Sequence, residues 1–109
     1  MSIIPNNGKS VWGNYNTIEN NVKYVIGRCY LKQGKPVTRH HHDQYELYII
    51  EKGCGRLLFN DEWFDVKSGD VITIPENVLH CAVTDSEMTF SYIFPEGPFN
   101  NIKYYLDKK

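Results

Sequence analysis

The sequence predicts an all-β domain, either a barrel or a sandwich. Short runs rich in β-branched and aromatic residues recur along its 109 residues. Clusters of Gly, Asn, Asp and Pro separate these runs at short intervals, as turns do. Helical periodicity is almost absent. About eight to ten short strands fit the pattern, which is the count of a small closed or two-sheet β fold.

Residues 1–20 are polar and rich in Asn, Gly and Ser, and read as an N-terminal arm with room for one short strand. Val22 to Leu31 is a strand by its Val, Ile and Tyr content, and Lys32 to Pro36 is a turn. Thr38 to Glu51 reads as one long strand or two bent ones, with Asp43-Gln44 as the bend and Gly53 and Gly55 as the break. Arg56–Phe59 and Trp63–Val66 form a hairpin around Asn60-Asp61-Glu62. Lys67 to Asp70 is the next turn, and Val71–Ile74 is a strand closed by Pro75. Val78–Val83 and Met88–Phe94 are strands flanking a turn at Thr84-Asp85-Ser86. Pro95 to Pro98 is a loop, and Ile102–Leu106 fits a last strand. The reading is one domain over 1–109, with its barrel core at about 22–106.

Composition narrows the function. The formal charge is -1 and the basic residues are scattered, so nothing draws in nucleic acid or an anionic membrane. No apolar run approaches a membrane span and no secretory leader pattern is visible. The three cysteines are widely spaced and odd in number, which fits neither a CxxC metal pair nor a disulfide framework. A cytoplasmic protein is expected. Cys81 adjoins His80 but alternates away from it, as a buried structural thiol.

The chemistry concentrates in His40, His42, Glu46 and His80. Strand side chains alternate faces, so His40 and His42 point one way and His41 the other. In register, Glu46 and Tyr48 share the face of the first two histidines. His80, on another strand, must be brought alongside by the fold. Three imidazoles and one carboxylate suit one divalent transition metal (Fe, Mn, Ni, Co, Cu or Zn) rather than calcium or magnesium. Tyr48 is placed to hydrogen-bond a substrate or pass a proton. Arg28, a charge inside a strand, would clamp an anionic ligand if it faced inward. Tyr92 and Phe90 alternate with Ser91 and Ile93, and one pair or the other lines the cavity. Gly34, Gly53 and Gly69 are read as turn glycines, and Asp70 as a turn carboxylate.

These residues carry a family resemblance. Gly34, His40, His42, Glu46 and Gly53 stand at the spacing of the first motif of the cupin family. Gly69, Pro75 and His80 match the second motif, with Asn77 where that motif has Gly and Thr84 where it has Asn. Asn tolerates the left-handed turn that Gly would take there. The chain thus resembles a small single-domain cupin. The resemblance implies a jelly-roll, double-stranded β-helix barrel, a metal on His40, His42, Glu46 and His80, and a homodimer.

Cupins support many reactions, so the fold alone does not choose one. The reading favoured by the residues is a metal-dependent isomerase, epimerase or lyase acting on a sugar or a hydroxy or keto acid. The ion would serve as Lewis acid, Glu46 and Tyr48 as catalytic groups, and Arg28, Tyr48 and Tyr92 as substrate contacts. A dioxygenase using Fe(II) or another redox metal is the first alternative. A non-catalytic metal- or metabolite-binding barrel is the second.

Overall fold

The computed structural model describes residues 9–10, 13–34, 38–98 and 101–106. Within them the chain forms strands β1 (Lys9–Ser10), β2 (Gly13–Asn20), β3 (Val25–Lys32), β4 (His40–His41), β5 (Glu46–Phe59), β6 (Glu62–Lys67), β7 (Val71–Ile74), β8 (His80–Val83), β9 (Glu87–Phe94) and β10 (Tyr105–Leu106). All pairings are antiparallel, in the order β1-β2-β3-β9-β5-β8-β4-β10, with β6 and β7 also paired to β5. The sheet curls on itself around one apolar core. No helix among the described residues is long and apolar enough to cross a membrane.

The core comes from period-two alternation on the long strands. On β3, Val25, Cys29 and Leu31 point inward, and β9 answers with Met88, Phe90, Tyr92 and Phe94. The cross-strand pairs Val25↔Phe94, Cys29↔Phe90 and Leu31↔Met88 put inward residue against inward residue. On β5, Tyr48 and Ile50 lie opposite Tyr92 and Phe90. Gly27 sits opposite Tyr92, and a Cβ there would come within 2.1 Å of the Tyr92 ring. The missing side chain is what admits the phenol.

Three boundaries differ from the sequence expectation. Gly53 and Gly55 do not end β5, which runs for 14 residues. Gly53 takes φ +80, and a Cβ there would meet the Glu87 carbonyl oxygen at 2.1 Å, so only glycine lets the strand continue its pairing through this position. There β5 passes from its pairing with β9 to its pairing with β6 and β8. The second difference is the arm: residues 13–20 form a full strand on β3, although their polar content gave little strand signal. Residues 1–8 and 11–12 of the arm lie outside the described residues, as do 35–37 of the turn after β3. Third, only Tyr105–Leu106 of the expected last strand is paired as one.

The turns follow their chemistry. Gly34, Gly53 and Gly69 all adopt positive φ, and Asn77 takes φ 62 where the related motif carries Gly. Asp70 accepts the Lys67 backbone N–H at 2.9 Å, closing its turn. Asn60, φ 54, turns the β5–β6 hairpin and clips the chain ahead of β8. Its N–H donates to Leu79 O at 2.7 Å, and its side-chain oxygen accepts from Leu79 N–H at 3.2 Å.

Candidate metal centre

Three strands deliver the cluster. β4 supplies His40, and His42 follows directly after it, just before the Asp43-Gln44 bend. β5 opens on Glu46, and β8 opens on His80. His40 and His80 are direct cross-strand partners, which sets their rings 4.2 Å apart. The His42 ring stands 4.9 Å from that of His80. The turn before β8 is tied to the same strand, because Asn77 N–H donates to His42 O at 2.8 Å. Each of the four side chains belongs to a residue at most 2% exposed.

One ring nitrogen from each histidine converges to within 4.8 Å of the others. The other nitrogen is engaged elsewhere, the same way in all three. His40 Nδ1 donates to Thr38 O at 2.6 Å, His42 Nδ1 to Gln44 O at 2.9 Å, and His80 Nδ1 to Val78 O at 2.8 Å. A backbone carbonyl on Nδ1 fixes the tautomer and leaves Nε2 as the ligand atom. Buried imidazoles aimed at one point with their other nitrogen satisfied are what a divalent transition ion requires. Glu46 Oε1 approaches His42 Nε2 at 2.9 Å and His80 Nε2 at 3.5 Å, so the carboxylate borders two of the three nitrogens.

Burial and pairing divide the electrostatics. Burial, reinforced by the His80 charge, holds His40 down at about 3, so it is neutral at ordinary pH. Burial also opposes charge on His42, but the Glu46 hydrogen bond and charge outweigh it and raise its pKa. Burial likewise disfavours the Glu46 carboxylate, yet the His42 hydrogen bond and the neighbouring His80 imidazole bring it to about 2. Glu46 is therefore an anion beside the imidazoles. Tyr48, wholly buried near that anion, keeps its proton well beyond the ordinary phenol range.

The predicted site residues separate into two groups. His40, His42, Glu46 and His80 come together, and Tyr48 joins them on the inner face with its ring 6.2 Å from that of His80. Tyr92 also points inward, pairs with Tyr48 across the strands, and packs 6.2 Å from Phe94, whose ring meets His42 at 5.0 Å. Arg28 does not join them. Alternation on β3 turns it to the outer face, where its Nε lies 3.2 Å from Glu51 Oε1 and its side chain is 37% exposed. Ser91 on β9 hydrogen-bonds the other Glu51 oxygen. The expectation that Arg28 clamps a ligand inside the barrel is corrected accordingly: one residue of register decides the face.

His41 turns away from the cluster, as expected, and stacks on Tyr105 at 5.1 Å. Thr84 is structural, donating to Cys54 O at 2.8 Å. Cys81 is buried and pairs with Leu58 across the strands. Tyr104, which the sequence marks only as an aromatic that caps the barrel or meets a second copy, is the residue that sequence reasoning did not place at the cluster. Its ring lies 5.0 Å from His40 and 5.3 Å from His42, and the residue is only 7% exposed. The signal available was the alternation of Ile102 and Tyr104 with Lys103 and Tyr105, which has no motif around it.

Comparison with known proteins agrees with this fold. Residues 25–96 match the family described as the AraC-like ligand binding domain. The chain belongs to that family. It is a cupin, and its curled sheet is the double-stranded β-helix of that superfamily. A cupin 2 conserved barrel domain protein from Salinispora arenicola superposes with a TM-score of 0.75 at 19% identity, over 93% of each chain. A protein from Photorhabdus luminescens gives a TM-score of 0.73 at 25% identity, covering 86% of this chain and 88% of the other. Among curated proteins, mannose-1-phosphate guanylyltransferase RfbM of Salmonella typhimurium is 30% identical over 70 residues, which are 63% of this cupin but 15% of that enzyme. The cupin thus spans a small fraction of the curated relatives it matches.

Proposed function

We propose that this cupin holds one divalent transition metal on His40, His42, His80 and Glu46 and acts on a small oxygenated metabolite, a sugar or a hydroxy or keto acid. The convergence of three buried imidazole nitrogens, each with its second nitrogen bonded to a backbone carbonyl, carries the reading. When bound, the ion supplies Lewis-acid polarisation of a substrate carbonyl or hydroxyl. Isomerisation, epimerisation or elimination is the favoured class. Glu46, held as an anion, is a ligand and the nearest proton acceptor. Tyr48 keeps its proton and so serves as a hydrogen-bond donor rather than a base. Tyr92 and Phe94 supply the apolar wall that keeps water from the reacting atoms. The likeness to a segment of a mannose-1-phosphate enzyme points the substrate search toward sugars first.

A second reading is a barrel that binds its metabolite without turning it over, and the ligand-binding description of the family favours it. One experiment addresses both. Metal content is measured by mass spectrometry on untagged protein, and the loaded protein is then screened against sugars and hydroxy or keto acids by calorimetry and by product analysis. Binding with product supports the enzyme, and binding without product supports the second reading. Near-stoichiometric iron with oxygen uptake would redirect the reaction to oxygenation. Absence of metal both as purified and after titration would overturn the site. A cytoplasmic homodimer is part of this reading. It draws support from the exposed aromatic residues Trp63 and Phe64 on β6, and sedimentation tests it.

A further inference from the structure

The C-terminal segment makes contacts at the cluster that the proposed ligand set does not account for. Ile102 is 1% exposed and anchors the segment in the core, and two residues later the Tyr104 ring packs against His40, tilted by 42°, and against His42 edge-to-face. Tyr105 and Leu106 then pair with His41 and His40 as strand β10. On the far side of β4, Tyr105 stacks on His41 with the two planes only 18° apart. The segment therefore grips the short ligand strand from both faces. Tyr104 packs on its inner side and Tyr105 on its outer side.

β4 needs such support. It has two residues, and its pairing with β8 consists of the single partner pair His40↔His80. The pairing with β10 adds two more partner pairs, one of them at His40 itself. An imidazole ligand must also hold one rotamer. The carbonyl of Thr38 fixes the hydrogen-bonding edge of the His40 ring, and the Tyr104 ring packs against that imidazole with centroids 5.0 Å apart. Outer contacts of this kind orient ligands, and their loss commonly weakens metal affinity about 10- to 100-fold.

We propose that Tyr104 is a positioning residue of the metal centre, and that docking of residues 101–106 and metal loading stabilise one another. The proposal rests on the metal reading given above. Its logic is reciprocal: if the docked segment improves the ligand geometry, the bound ion must favour the docked segment by the same factor.

The test uses the full chain. Hydrogen exchange of residues 101–106 is followed with and without Zn(II), and Co(II) absorption and Zn(II) competition with a chelator are compared for wild type, Tyr104→Phe and Tyr104→Ala. Metal is expected to slow exchange across 101–106 about tenfold or more. Tyr104→Ala is expected to weaken Zn(II) about tenfold and alter the Co(II) ligand-field bands, while Tyr104→Phe, which keeps the ring, restores both. Unchanged exchange at 101–106 in a wild-type protein that takes up Zn(II) would overturn the coupling and leave the metal site standing. Failure of the wild type to take up Zn(II) or Co(II) would overturn both. The exchange measurement needs no variant, so a Tyr104→Ala protein that fails to fold does not blunt the test.

Discussion

Glu46 and His42, four positions apart, face each other inside the barrel with Oε1 2.9 Å from Nε2. The contact joins the end of the ligand strand to the start of the longest strand, across the bend at Asp43-Gln44. The bend itself is held by the same imidazole, because His42 Nδ1 donates to Gln44 O. One side chain thus closes the turn with one nitrogen and faces the carboxylate with the other.

Replacing His42 with Ala removes a ligand and a turn contact together. Metal stoichiometry is expected to fall, with affinity reduced at least about tenfold. His41→Ala removes no ligand and is expected to retain more metal than His42→Ala, its effect limited to the stacking on Tyr105 that helps hold β10 in place. Metal analysis of the two proteins after dialysis decides the point, and an H42A protein with unchanged loading would remove His42 from the ligand set.

The metal-free protein should be most stable near the ordinary histidine pKa. Folded His40 stays neutral down to about 3, so between pH 6.5 and 3 the unfolded chain takes up a proton that the folded one refuses. Stability falls as the pH drops through that window, by at most about 1.4 kcal/mol per pH unit for one proton. Glu46 adds to the loss from pH 4.5 toward 2, where its folded carboxylate finally protonates. His42 works from the other side: its raised folded pKa gives stability that is full below 6.5 and is lost as the pH rises through the folded value. Denaturant midpoints between pH 4 and 8.5 check the curve. A midpoint that climbs on acidification from 6.5 to 4.5 contradicts it.

Gly27→Ala tests the close approach of Tyr92. A Cβ at that position meets the Tyr92 ring at 2.1 Å, and the ring must leave its place. A loss of about 1–3 kcal/mol is expected, as for other overpacked interiors. In a double-mutant cycle with Tyr92→Ala the two losses should be less than additive. Full additivity would show that the two residues do not share the space.

The cysteines should label unequally in the native state. Burial drives the Cys29 thiol up to about 12 and also raises Cys81, and both are buried, while Cys54 is exposed. Thiolate is the reactive form, so brief alkylation followed by peptide mapping should find Cys54 alone, and all three after denaturation. Fast modification of Cys29 in the folded protein would contradict its placement in the core.

Arg28→Met should leave ligand and metal binding unchanged. Its guanidinium meets Glu51 on the outer face, with 37% of the side chain in solvent. An exposed pair of this kind is worth about 0–1 kcal/mol, so only a small shift in melting temperature is expected. A selective loss of anionic ligands would return Arg28 to the cavity.

Much of the site was legible because its residues are of chemically demanding types. His40, His42, Glu46 and His80 are costly to bury without a purpose, and their spacing on alternating strands fixed a common face. Positive φ at Gly34, Gly53, Gly69 and Asn77 followed from which residues tolerate it. Arg28 was not legible. Its face depends on strand register, and an arginine within a strand is compatible with either an outer ion pair or an inner anion clamp. Tyr104 was not legible for a different reason. An aromatic residue near a chain end looks the same whether it caps a core, meets a partner or lies over a ligand. The persistence of β5 through Gly53 and Gly55 depended on which neighbours were waiting on either side, and that information is nonlocal.

The 14-residue strand β5 begins at Glu46, beside His42, and ends at Phe59, whose cross-strand partner is His80. A single stretch of backbone therefore spans both ends of the cluster, and the ligands meet only after strands distant in sequence have closed around it. Such closure belongs to the late part of a folding reaction dominated by long-range pairing. An ion bound there contributes little to the transition state and much to the native state. Its signature would be kinetic: unfolding slows severalfold on loading while the refolding rate barely changes.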